Sequence, residues 1–214
     1  MGFSTKGQRL FIARHGETVF NAVGRMQGMH PHTPLTREGC EQAVAMGRAL
    51  VSYVSAGQPL ALLASPSGRT LQTLALVAAE IGMDWHAHQT DIRLREIDVG
   101  QWEGQYYRDI APDITTLMSK EHKLFIRAAP GGEDYPAVAA RLRDWLNAQD
   151  FAADMLVISH GMTARVLRGL LLGYPDLEGF GVPVAPSLAQ GSMVMIRDGV
   201  ETLVIDGAGA GERA

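Results

Sequence analysis

The chain has 214 residues, 46% of them hydrophobic and 20% charged, and a formal net charge of −4. That is enough material for one α/β domain with a substantial core, and the acidic balance excludes a nucleic-acid partner held by a dominant basic face. The one cysteine, Cys40, rules out an internal disulfide and points to a reducing compartment, the cytoplasm; no apolar run approaches about 18 residues, and no N-terminal apolar segment with a cleavage site is present, so neither a membrane partner nor a leader is expected.

In chain order, Leu10-Phe11-Ile12-Ala13 reads as a buried strand that runs directly into Arg14-His15-Gly16-Glu17-Thr18. Open α/β sheets bind ligands at the carboxyl edge of their strands, and a glycine there lets backbone approach a ligand. A short helix over 18–23 and the loop Gly24-Arg25-Met26-Gln27-Gly28 follow. His30-Pro31-His32-Thr33-Pro34 is turn chemistry; its two imidazoles have no cysteine or spaced carboxylate beside them and do not make a metal set. Thr36 reads as the N-cap of an amphipathic helix over 36–54, with Cys40 among its core residues.

Gly57-Gln58-Pro59 breaks the chain before a second strand, 60–64, which enters Ser65-Pro66-Ser67-Gly68-Arg69 and a helix closed by Gly82. Arg69 near that helix start is either an anion clamp or a plain surface residue. Trp85-His86-Ala87-His88 alternates like a half-exposed strand, and its His-x-His pair lacks a third ligand, so no metal is expected there. Residues 105–130 show no clean period and are expected to form short helices over a site; Tyr106, Tyr107, Arg108, His122, Lys123 and Arg127 could each face pocket or solvent.

Glu133 and Asp134 open a helix whose apolar face carries Tyr135, Val138, Leu142, Trp145 and Leu146. The strand 155–158 then ends in Ser159-His160-Gly161, repeating the first strand's pattern of apolar run, imidazole and glycine. A helix from Met162 to Leu172 stops at Gly173, and 193–196 with 201–205 forms a hairpin around Asp198-Gly199. The terminal Gly207-Ala208-Gly209-Ala210-Gly211 resembles a dinucleotide fingerprint but has no helix or second strand after it. Strands alternating with helices predict a three-layer αβα sandwich: a mostly parallel central sheet, helices on both faces and an antiparallel C-terminal strand. Three strand ends then bring Arg14, His15, Arg69 and His160 to one rim. There an imidazole nitrogen can attack phosphorus while guanidinium groups hold its oxygens.

These residues resemble the histidine phosphatase superfamily, the phosphoglycerate mutase-like proteins. The likeness rests on Arg14-His15-Gly16-Glu17-Thr18 with Asn21, Gly24-Arg25-Met26-Gln27-Gly28, Thr33-Pro34-Leu35-Thr36, and Ser65-Pro66 with Arg69, Gln72 and Thr73. It continues through Leu94-Arg95-Glu96 with Gly100, Trp102, Glu103 and Gly104, Pro130-Gly131-Gly132-Glu133, and Ser159-His160-Gly161 with Arg165, and spans roughly 9–166. Phe20 departs from the motif, which usually has Trp there.

The resemblance implies one domain over 1–214 with a lid or insert around 100–130, and a metal- and cofactor-free phosphomonoesterase. His15 would be the nucleophile, and Arg14, Arg69 and His160 would bind the transferring group. Glu96 would protonate the leaving oxygen; Asn21, Gln27, Gly28 and Gly161 would contact substrate. The partner is then a small phosphorylated molecule, and the sequence is compatible with a homodimer. A phosphoglycerate mutase fits less well, because that motif has Tyr soon after the Glu and Asn after the second His-Gly, where this chain has Gly100-Gln101-Trp102 and Met162. A catalytically silent binding protein would be expected to have lost at least one of the five catalytic residues.

Overall fold

The computed structural model of the chain describes residues 2–54 and 59–207. The break at Gly57-Gln58 and the glycine-alanine tail from Ala208 therefore lie outside the described residues. A six-stranded sheet has the order β3-β2-β4-β1-β5-β6. Its strands are β1 (Leu10–Arg14), β2 (Leu60–Ala64), β3 (Gln89–Thr90), β4 (Asp154–Ser159), β5 (Met193–Arg197) and β6 (Val200–Ile205). β1, β2, β3 and β4 pair in parallel, whereas β5 runs antiparallel to β1 and β6 antiparallel to β5, as a C-terminal hairpin at one edge.

Period-two alternation divides the apolar side chains between two faces. Leu10 and Ile12 of β1, with Met155 and Val157 of β4, face the helices α5 (Tyr135–Asn147) and α6 (Gly161–Leu172). Phe11, Ala13, Leu156 and Ile158 face α2 (Arg37–Val51) and α3 (Gly68–Glu80). Both faces of β1 and β4 are dry, which explains why these central strands read as continuous apolar runs. Each fully buried Leu, Ile or Val contributes about 1.5–3 kcal/mol.

Two close approaches hold the first loop in place. A Cβ on Gly16 would lie 2.3 Å from the Gly39 carbonyl oxygen, and one on Gly39 2.0 Å from that of Glu17. The turn after β1 is thus pressed against the start of α2, where the Thr36 hydroxyl accepts from Gly39 N–H at 3.0 Å. At the far end of the site, α6 stops at Gly173, whose φ of +69° closes the helix.

Three local expectations need correction. Residues 85–88 are not a strand: Trp85–Ala87 is a 3₁₀ turn capped by Asp84, and the Trp85 and His88 rings stack with centroids 4.1 Å apart. That contact needs residues three apart on one side, as a helical turn provides and an alternating strand does not. α2 ends at Val51, not at residue 54, and Cys40 is exposed, not core. The buried stripe of α2 runs Gly39, Gln42, Ala43, Met46, Gly47, Leu50, and Cys40 lies beside it on the solvent side.

Residues 105–130 form α4 (Tyr107–Ile110), a 3₁₀ turn at Ile114–Thr116 and a bridge between Met118 and Phe125. Leu117, Leu124, Phe125 and Ala129 are buried in the same cluster as α5 and α6. The base of the segment is hydrogen-bonded to the Gly24–Gly28 loop, Tyr107 N–H donating to Gly24 O and Met26 N–H to Gln105 O. Among the described residues, no helix is long and apolar enough to cross a membrane.

Candidate active site

Register decides what meets at the rim. Arg14 pairs with Ser159 across β1 and β4, so His15 and His160 leave neighbouring strands at the same level. Their rings are edge-to-face, with centroids 5.3 Å apart. On the other side of β4, Ser65 N–H donates to Ile158 O, which sets the third strand end beside His160.

The hydrogen-bond pattern fixes both imidazole tautomers. His15 Nδ1 lies 2.7 Å from its neighbour's carbonyl, Gly16 O, which can only accept. The proton is therefore on Nδ1, and Nε2 keeps its lone pair. His160 Nδ1 accepts from Arg69 Nε at 3.2 Å, so its Nε2 carries hydrogen and donates to Ser65 Oγ at 2.7 Å. Burial, and next the charge of Arg69, hold both rings well below the ordinary imidazole value of 6.5; Arg14 adds to the effect on His15. Each is neutral near pH 7.

Acid stability should record this. In the unfolded chain both rings titrate near 6.5, so below that pH the unfolded state binds protons that the folded state refuses. Stability is then full above about pH 6.5 and falls with decreasing pH by about 1.4 kcal/mol per pH unit for each imidazole. Urea unfolding at a series of pH values is expected to show this slope, and a His160→Gln variant should flatten it. A midpoint independent of pH from 7 to 5 would contradict it.

Arg69 is a clamp and not a surface residue: it is 1% exposed. Besides His160, it donates from Nη1 to His30 O (2.9 Å) and Thr33 Oγ1 (3.2 Å), and from Nη2 to Gly28 O (2.8 Å). Burial lowers its pKa to about 10, so it remains a cation at neutral pH. Arg14 donates from Nη1 to Leu188 O at 2.7 Å, and a Cβ on Gly161 would sit 3.3 Å from its guanidinium carbon. The glycine that opens α6 leaves room for that cation.

Glu96 reaches the site at the first turn of α6. Oε1 accepts from Ile97 N–H (3.0 Å) and Thr163 N–H (3.1 Å), and Oε2 from Met162 N–H (3.2 Å). The carboxylate thus sits on the first free amides of α6, where the helix dipole favours negative charge. Thr18 orients the two amides on the near side: its backbone N–H donates to Asn21 Oδ1 at 3.1 Å and its hydroxyl to Gln27 Oε1 at 2.8 Å. With their oxygens turned to Thr18, Asn21 and Gln27 keep their NH₂ donors for other partners.

A cavity of about 640 Å³ joins these groups. Arg14, His15, Arg69, Glu96, Asn21, Gln27, Gly28 and Gly161 all line it. His160 does not: it is fully buried behind Arg69, with both nitrogens engaged. Of the undecided residues, Tyr107 and Lys123 line the cavity, Arg108 stacks on Tyr106, and Arg127 borders a separate hollow of about 240 Å³.

Sequence reasoning missed Glu17, Glu38, Ser187 and Gln190 on the cavity wall, and Ser65, Thr33 and Thr163 as supports. Glu17, Thr33 and Ser65 stood in segments already singled out, near His15, Pro34 and Pro66, but nothing in their type marked them for these places. Among the described residues, no three of His, Cys, Asp and Glu are grouped as a metal site.

A family model for the histidine phosphatase superfamily, branch 1, matches residues 10–204. The chain belongs to that superfamily. A glucosyl-3-phosphoglycerate phosphatase of Mycobacterium tuberculosis is 29% identical over 192 residues, covering 82% of each chain. A probable phosphoglycerate mutase of Yersinia enterocolitica is 31% identical, covering 78% of this chain and 76% of the relative. The crystal structure of a putative α-ribazole-5′-P phosphatase from Escherichia coli superimposes with a TM-score of 0.70 at 27% identity, over 97% of this chain and 100% of that one. The chain therefore shares its fold over nearly its whole length with a protein titled as a putative phosphatase.

Proposed function

We propose that this histidine phosphatase hydrolyses phosphomonoesters of small molecules in two steps through a phosphohistidine on His15. The observation that carries the reading is the tautomer of His15: Nδ1–H is tied to Gly16 O, which leaves the Nε2 lone pair on a cavity that Arg14 and Arg69 also line. Nε2 attacks phosphorus, the P–O bond to the alcohol breaks, and Glu96 passes to the leaving oxygen the proton that the phosphomonoester monoanion brings in. Water then attacks phosphorus, the P–N bond breaks, Glu96 moves the water's proton to the departing orthophosphate, and the lone pair returns to Nε2. Arg14 and Arg69 neutralise charge on the phosphoryl oxygens, and the Asn21 and Gln27 amides add donors. His160 acts by orienting Arg69.

We read the chain as one domain in which 100–130 is a lid, because Tyr107, Met118, Lys123 and Phe125 line the same cavity as His15. That cavity has room for an alcohol portion well beyond the phosphate. The mycobacterial relatives make a phosphorylated, carboxylate-bearing sugar ester the first substrate to assay. A reducing, cytoplasmic setting fits the exposed Cys40.

The deciding experiment is hydrolysis of aryl and alkyl phosphates with a chelator present, in wild type and Glu96→Ala. Turnover is expected to survive the chelator. Glu96→Ala is expected to lower alkyl turnover by at least about 100-fold and aryl turnover far less, since a phenolate leaves without help. Isomerisation of a phosphoglycerate, primed by a bisphosphate and faster than phosphate release, would establish the mutase reading instead.

A further inference from the structure

The loop that carries Glu96 is held by a largely buried ion pair, Arg141 and Glu133 with side chains 9% and 14% exposed, that the proposed chemistry does not use. Glu133, at the end of Pro130-Gly131-Gly132, accepts through Oε1 from Arg95 Nη2 and from Arg141 Nε at 3.1 Å. Its Oε2 accepts from Asp98 N–H at 3.0 Å and lies 3.3 Å from Arg141 Nη2. Arg141, on α5 and 8% exposed, also donates from Nη1 to Arg93 O at 2.6 Å. Its Nη2 is 3.5 Å from Thr163 Oγ1, and that hydroxyl is 2.6 Å from Arg95 O. Two side chains thus engage the backbone or side chain of residues 93, 95 and 98, on both sides of Glu96, and reach the threonine whose amide receives the Glu96 carboxylate.

Burying such a pair is a poor way to gain stability, because desolvation offsets most of the attraction. Its geometry has another use. Among the described residues, the Glu96 carboxylate accepts hydrogen bonds from Ile97, Met162 and Thr163, in the loop itself or in the first turn of α6. The first turn of α6 follows His160 directly and so sets the carboxyl near His15, whereas the Glu133–Arg141 pair fixes the course of the loop on either side of Glu96 by joining it to α5. We propose that Glu133 and Arg141 are positioning residues that set where the Glu96 carboxyl delivers its proton. The inference rests on the acid role assigned to Glu96 above.

The test compares kcat/KM on p-nitrophenyl phosphate and on glycerol 2-phosphate for wild type, Glu96→Gln, Glu133→Gln, Arg141→Lys and the Glu96→Gln/Glu133→Gln double variant. A carboxyl displaced by about 1 Å should cost roughly 100-fold on the alkyl ester. Loss on the aryl ester should stay within about fivefold, because its leaving group needs little protonation. The double variant is expected to be no worse than Glu96→Gln alone, since residues acting as a unit are not additive. Equal losses on both esters in Glu133→Gln, or additive losses in the double variant, would overturn the positioning role while leaving Glu96 as the acid. A Glu96→Gln enzyme with no preference between esters would overturn the acid role itself, and this inference with it. Should Glu133→Gln fail to fold, Arg141→Lys, which keeps the charge but not the forked geometry, decides by the same comparison.

Discussion

His15→Ala is expected to lower kcat by about 10⁵-fold or more on every phosphomonoester, aryl and alkyl alike, because the attacking atom itself is removed. Water in place of the imidazole has no equivalent of a nitrogen lone pair held in register with Arg14 and Arg69. The fold should survive the change: His15 is neutral, and its Nδ1 bonds to the adjacent Gly16 O and not to a distant element. The decisive measurement is rapid quench of the wild-type reaction, which should trap an acid-labile, alkali-stable phosphoryl adduct, mapped by mass spectrometry to the peptide containing Arg14-His15-Gly16. An adduct of the same yield in His15→Ala would refute the assignment, and so would wild-type turnover without any adduct.

Arg69→Met should damage both stability and catalysis, for separate reasons. Four of the guanidinium's N–H groups satisfy Gly28 O, His30 O, Thr33 Oγ1 and His160 Nδ1. Methionine fills a similar volume but donates nothing, and each buried acceptor left unmet costs about 1–3 kcal/mol. Relief from burying a cation offsets part of this, so a net loss of about 3 kcal/mol is expected, or roughly 6–12 °C in Tm for a chain of this size. Catalysis should fall by about 10³-fold, comparable to removal of an oxyanion donor. Arg69→Lys would restore the charge without the fork and should recover little of either. Calorimetry and steady-state kinetics on one preparation separate the two losses, and a wild-type melting temperature in Arg69→Met would disprove the clamp.

The acid slope predicted for His15 and His160 and the leaving-group selectivity predicted for Glu133 depend on the same feature: charged and neutral groups held dry against one another by the sheet edge. Each can fail alone, since the first concerns only the imidazoles and the second only the loop that carries Glu96.

What could be read along the chain was what short-range physics writes into it. The apolar runs of β1 and β4, the Thr36 cap, the stop at Gly173 and the Asp198-Gly199 hairpin are local signals, each produced by a residue's own backbone preference or by a period of two or 3.6. The Trp85 segment was misread because alternation over four residues cannot distinguish a strand from one 3₁₀ turn held by a ring stack. Cys40 was misread because its place on α2 depends on where the stripe begins, a matter of one residue in the helical phase.

The chemistry of His15, Arg14, Arg69, Glu96 and His160 could thus be named from residue types and motifs, because nucleophile, cation and carboxyl are properties of single side chains. Their arrangement could not. That His160 turns from the cavity to hold Arg69, that Glu96 seats on the first amides of α6, and that Glu133 and Arg141 anchor the Glu96 loop all depend on contacts between residues 35 to 91 positions apart. Such contacts arise only when strands from distant parts of the chain pair in one register, and register belongs to the whole sheet and to no single segment.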